Sequence, residues 1–142
     1  MPLPRNALYG LGVNLHIAVW PGTNNNTKDI TRFIAQESRS FVVSVSSLIR
    51  IKDFPKDTPH LEKIIIDVPQ MIANGCSCIA GPDGEWILPP SVDTEELITC
   101  TIDFNCVPEE RQNFDVTGHY SGPDVKRLTI NRERQSAVDY KD

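Results

Sequence analysis

The chain has 142 residues, enough for one domain with a real core, and its 39% hydrophobic and 23% charged content are globular values. A net charge of −5, with no basic run and no basic-plus-aromatic strip, argues against nucleic acid as a partner. No apolar run approaches the ~20 residues that cross a bilayer and no signal peptide is visible, so no membrane partner is expected and the cytoplasm is the expected location.

From the N-terminus, Leu3, Ala7, Leu8 and Leu11 recur at helical spacing and predict a short helix, which Gly10 and Gly12 can stop. Residues 13–20 are almost continuously apolar, as a strand covered on both faces should be. Trp20-Pro21-Gly22 ends that strand, because proline cannot donate to a sheet ladder and holds its predecessor extended. A buried central strand this early suggests that the chain starts in mid-domain.

A polar loop follows, with Asn26 as a helix cap and Asp29 near the positive end of the helix dipole. Asn25-Asn26-Thr27 fits a glycosylation sequon, read as chance without a secretory signal. Ile30, Phe33 and Ile34 form the apolar stripe of a helix ending near Ser38. Residues 41–49 predict a strand, with Phe41, Val43 and Val45 on one face and small serines on the other. Ser44, Ser46 and Ser47 lack a G-x-S-x-G turn and read as close packing, not nucleophiles.

Residues 52–60 read as a charged loop in which His60 is solvated, and 61–72 as a weak helical patch that Pro69 and three successive isoleucines disfavour. From Ser77 the pattern becomes a hairpin: Gly81-Pro82-Asp83-Gly84 is the turn, and Trp86, Ile87 and Leu88 are the return arm. Residues 97–103 predict another strand, with Ile98, Cys100 and Ile102 on one face and Thr99 and Thr101 on the other. Pro108 opens a short helix whose Glu109 and Glu110 form a solvated acidic first turn, since adjacent helical residues point about 100° apart. Residues 125–131 read as a last extended segment, and the polar tail from Arg132 as disordered. The terminal Asp139-Tyr140-Lys141-Asp142 matches the first four residues of a common epitope tag. The order of elements implies mixed α/β layers.

The four cysteines, Cys76, Cys78, Cys100 and Cys106, have no CxxC spacing, so neither a zinc site nor a redox pair is indicated, and they read as structural thiols. No metal or cofactor is expected.

Three stretches together carry a family resemblance. Met1-Pro2-Leu3-Pro4-Arg5 matches the tail of a C-W-E-N-[YF]-M-P-L-x-R motif whose head is absent. Asn74-Gly75-Cys76-Ser77-Cys78-Ile79-Ala80-Gly81-Pro82-Asp83-Gly84-Glu85-Trp86 and Glu110-Arg111-Gln112-Asn113-Phe114-Asp115-Val116-Thr117-Gly118-His119-Tyr120 continue it. The chain resembles the nitrilase branch of the carbon–nitrogen hydrolases over residues 1–134, as the C-terminal part of such a domain, with 135–142 a polar tail. Cys76 stands where that family more often has a second glycine.

The resemblance implies roughly the second half of a four-layer α-β-β-α sandwich. The complete enzyme would attack a nitrile with a cysteine thiolate, with glutamate as base and lysine stabilising charge, and release ammonia and a carboxylic acid. All three groups would lie upstream of Met1, so no residue here is assigned a catalytic role and the chain alone is expected to be inactive. Trp20 and Pro21, by their position at the end of the strand after the nucleophile turn, and His119, within a family motif, are the candidate substrate-pocket residues. A small nitrile and a homo-oligomer are the partners implied for the complete enzyme. The alternative is a short non-catalytic partner that docks on full-length nitrilase subunits.

Overall fold

The computed structural model describes residues 2–66, 71–133 and 138. Helix α1 (Pro2–Tyr9) precedes strand β1 (Leu15–Trp20), helix α2 (Asn24–Ser38), and strands β2 (Phe41–Ser46) and β3 (Leu48–Arg50). Helix α3 (Leu61–Ile65), the hairpin β4 (Met71–Ala80) and β5 (Trp86–Val92), and helix α4 (Cys106–Asn113) complete the order. The fold is α/β with one mixed sheet. β1 lies parallel to β2, β2 and β3 are both antiparallel to β4, and β5 pairs β4 antiparallel.

The parallel β1–β2 step needs a crossover, and α2 supplies it, packing back on the sheet. The buried cluster is Ala18, Ile34, Ala35, Val42 and Ala80, with Trp20, Ile30 and Trp86 packed against it. The stripe that α2 buries is Thr27, Thr31, Ile34, Ala35 and Ser38. Small residues let helix and sheet approach closely. The hydroxyls of Thr27, Thr31 and Ser38 donate to carbonyls four residues back, so their burial leaves no donor unpaired.

Several expectations are corrected. Phe33 is 51% exposed and does not belong to the buried stripe; the Arg5 guanidinium lies over its ring at 6.0 Å. In α1 the residue that buries is Tyr9, whereas Leu3 and Leu8, and Leu11 beyond the helix, are exposed. The cap of α2 is Thr23, not Asn26, and it uses its backbone carbonyl. The strand expected over 41–49 breaks at Ser47 into β2 and β3; of the helical patch expected at 61–72, α3 is the described helical part, and Met71 and Ile72 already belong to β4. Helix α4 starts at Cys106, which leaves Pro108 in the first turn, where its missing N–H costs nothing.

The largest departure concerns the sheet faces. Only one face of β1 is buried; Leu15, Ile17 (56% exposed) and Val19 (76% exposed) point away from α2. Register continues this apolar face through Val43 and Val45 on β2 and Ile79 on β4. At its near end Phe41 is covered by Phe104, whose ring meets it edge-on at 5.6 Å. Residues 97–103 are not a paired strand, and 125–131 have no regular structure. Pro69 and the polar tail from residue 134, Val138 apart, lie outside the described residues, Asp139 to Asp142 among them.

Candidate functional site

Open α/β sheets present their chemistry at the ends where parallel strands finish. Here β1 ends at Trp20-Pro21 beside the end of β2, and the Ser47 N–H donates to the Trp20 carbonyl at 3.4 Å. Gly22 then turns under α2, where a β-carbon would lie 2.4 Å from the Thr27 methyl. The bend therefore requires glycine.

Polar groups from three elements converge at this end. The Asn24 backbone N–H donates to Asn74 Oδ1 at 3.3 Å, and Cys76 Sγ donates to Asn24 Oδ1 at 3.5 Å. The Ser46 N–H donates to Ser77 Oγ at 3.2 Å. Gly75 and Cys76 have φ values of +87° and +91°, and β4 shifts register against β5 between Gly75 and Ser77. This bulge turns the Asn74 side chain to the first residue of α2. Trp20 Nε1 and Ser46 Oγ are buried without a partner among the described residues, as are Ser44 Oγ and Arg39 Nε away from this end.

The thiols suit packing more than attack. Cys76 and Cys78 are fully buried, and burial, reinforced by Cys76, pushes the Cys78 thiol up to about 11. A thiol so raised is protonated at neutral pH and a poor nucleophile. Among the described residues, no three His, Cys, Asp or Glu side chains group as a metal site. A cavity of about 230 Å³ lies at the other end of the sheet, lined by Phe41, Pro82, Ile87 and Cys106 with Asp83, Glu109 and Glu110.

The three candidate pocket residues do not meet. Trp20 packs half-buried against the core cluster, and Pro21 is exposed beside it. His119 is exposed in a turn, its ring 4.7 Å from that of Tyr120. That turn belongs to the opposite end of β1: Thr117 approaches Gly10, while Arg111 donates to the Val13 carbonyl at 2.6 Å and to Asn14 Oδ1 at 3.0 Å. Six residues of strand separate the two ends, about 17 Å. Asp115 builds the turn by accepting from the N–H groups of Thr117 and Gly118, both at 2.9 Å. Those bonds, led by the one from Thr117, hold its carboxyl below the usual range.

Two constellations escaped sequence reasoning. Arg5, Tyr9 and Glu37 tie α1 to α2: Glu37 Oε2 accepts from the Tyr9 hydroxyl at 2.9 Å and from Arg5 Nη2 at 3.1 Å. Burial, then the Glu37 hydrogen bond, pushes the Tyr9 hydroxyl up to about 12. The i, i+4 spacing of Arg5 and Tyr9 was visible, but their acceptor lies twenty-eight residues beyond Tyr9. Glu110, expected to be solvated, accepts instead from Arg39 Nη1 at 2.9 Å, joining α2 to α4.

No protein-family model matches the chain. It is 34% identical to an aliphatic nitrilase of Sinorhizobium fredii over 97% of its own length. It is 30% identical to nitrilase 3 of Arabidopsis thaliana, and 31% to a bifunctional nitrilase/nitrile hydratase of Oryza sativa, each over 99% of its length. The chain spans 44%, 41% and 40% of those relatives, less than half of each.

Proposed function

This chain is a nitrilase homologue, and from that premise we propose that it forms one sheet and its helical cover within a nitrilase-type sandwich. The observation that carries the proposal is the face of Leu15, Ile17, Val19 and Val45, all exposed, continued by half-buried Val43 and Ile79: a contiguous apolar sheet surface on which no layer packs among the described residues. A second sheet packed about 10 Å away would bury it.

In the completed enzyme the reaction is hydrolysis of a nitrile to a carboxylic acid and ammonia. A cysteine thiolate adds to the nitrile carbon to give a thioimidate, a glutamate moves the protons, and a lysine stabilises the tetrahedral charge. In this reading none of the three comes from the chain described here, which has no nitrile-hydrolysing activity by itself. What the chain supplies is support. The Arg5–Tyr9–Glu37 ties hold α1, the helix that follows the nucleophile in the resemblance, rigidly on α2. Trp20 and Pro21 are the proposed pocket wall, and Trp20 Nε1 is buried without a hydrogen-bond partner among the described residues. His119, at the other end of β1, is proposed to reach a pocket only through the completed assembly.

The test is ammonia release from aliphatic and aromatic nitriles. The purified chain should give only background. Coexpression with the portion of the Sinorhizobium fredii nitrilase that it does not match should yield activity abolished by a thiol reagent. Thiol-sensitive ammonia release from the chain alone would refute the division of labour, and a stable complex without activity would refute the assignment of chemistry.

A further inference from the structure

The stretch from Trp20 to Asn24 is gripped at both ends by two neighbouring residues of β4. At one end the backbone N–H of Asn24, the first residue of α2, donates to Asn74 Oδ1 at 3.3 Å. At the other, the Trp20 carbonyl accepts from the Ser47 N–H at 3.4 Å, and the Ser47 carbonyl accepts from the Gly75 N–H at 3.2 Å. Little freedom is left between the grips. Pro21 has a fixed φ, Gly22 turns too close to Thr27 for a β-carbon, and the Thr23 carbonyl accepts from the N–H groups of Asn26 and Thr27.

The Asn74 contact is a helix cap supplied from fifty residues away. The first N–H groups of a helix have no partner within it. Thr23, at the capping position, makes no side-chain bond, and the first turn of α2 holds no acidic residue. Asn74 Oδ1 takes that role. Its own backbone is fixed on two sides, because Asn74 pairs with Leu48 of β3 and its carbonyl accepts from the Asp93 N–H at 2.8 Å. The Cys76 thiol, two residues along the same bulge, donates to Asn24 Oδ1 at 3.5 Å. Asn24 is thus held through both its backbone and its side chain.

We infer that Asn74 is a positioning residue for the Trp20-Pro21 wall: by capping α2 it sets where that wall stands against a bound nitrile, and so which nitriles the completed enzyme prefers. This rests on the pocket-wall reading proposed above and names what fixes that wall. A pocket boundary discriminates by contact, so a shift of its position changes the preference among substrates of different size. Asn74 touches no substrate in this scheme and acts through Pro21, Gly22 and Thr23.

The test compares Asn74→Ala, Asn74→Asp and Asn24→Pro in the full chain and in its complex with the unmatched portion of the Sinorhizobium fredii nitrilase. In the full chain, Asn74→Ala should speed exchange of the Asn24 amide by about fivefold, the effect of one lost cap. Asn74→Asp keeps the acceptor and adds a charge that a helix N-terminus favours, so it should restore the protection. Asn24→Pro removes the donor at a position where helices accept proline, after a Thr23 already extended at φ −126° and ψ 163°. It keeps the test open should Asn74→Ala fail to fold. In the complex, the spread of kcat/KM from propionitrile to benzonitrile should narrow by about tenfold in Asn74→Ala and Asn24→Pro, and return in Asn74→Asp. A merely structural residue would lower activity on every nitrile by one factor. That result, or an unchanged spread, overturns the positioning role and leaves the proposed function standing. An Asn24 amide that exchanges equally fast with and without the Asn74 side chain overturns the cap. A complex inactive on every nitrile overturns the proposed function and this inference with it.

Discussion

Replacing Cys76 separates two effects that usually act together. Its φ of +91° lies where a β-carbon costs about 1–2 kcal/mol. Cys76→Ala keeps the β-carbon and its cost, losing only the sulfur and its contact with Asn24. Cys76→Gly loses the β-carbon as well. In an ordinary strand glycine is about 0.5–1 kcal/mol worse than alanine, because its unfolded chain has more freedom to lose. Subtracting that from the relieved strain leaves the glycine variant more stable than the alanine variant by roughly 0.5–1 kcal/mol. For a chain of this size the difference is about 2–4 °C in melting temperature. Thermal unfolding of both variants, followed by circular dichroism with reductant present, reads the order directly. An alanine variant that melts at or above the glycine variant would show that the bulge is not strained at this position.

Tyr9→Phe should cost about 1–2 kcal/mol, because the hydroxyl bonds a carboxylate. With the folded Tyr9 pushed up from 10 to about 12, its contribution is complete below pH 10 and is lost as pH rises through 12, so the variant's alkaline loss should be shallower in urea unfolding at pH 8 and pH 11. An identical pH slope in the two proteins would rule out Tyr9 as the source. Asp115, whose carboxyl is held low, should protect the Thr117 and Gly118 amides above the ordinary carboxylate range and release them as pH falls through its folded value; Asp115→Ala should abolish that protection at every pH. The double variant Ile17→Thr, Val19→Thr should reduce self-association in sedimentation without lowering the melting temperature, since both side chains are more than half exposed. If they were core, the same changes would cost about 2 kcal/mol or more together.

The elements whose signals are local were legible in the residues. Gly10 and Gly12 bound α1, Trp20-Pro21-Gly22 ends β1, and Gly81-Pro82-Asp83-Gly84 makes the hairpin turn, closed by the Gly84 N–H on the Gly81 carbonyl at 2.8 Å. The family too was written in short motifs, and its nitrilase relatives align over nearly the whole chain. Tertiary structure decided what each apolar residue meets. Ile30, Phe33 and Ile34 satisfy helical periodicity equally, yet threonines and a serine take places in the buried stripe because their hydroxyls bond within α2 and their size lets the sheet approach. Strand pattern likewise marked both 15–20 and 97–103, but a pattern records a preference for neighbours without providing them. β1 has β2 on its edge and α2 on one face, whereas 97–102 has neither. Backbone pairing and burial are properties of two segments at once, and the second segment is not in the residues that ask for it.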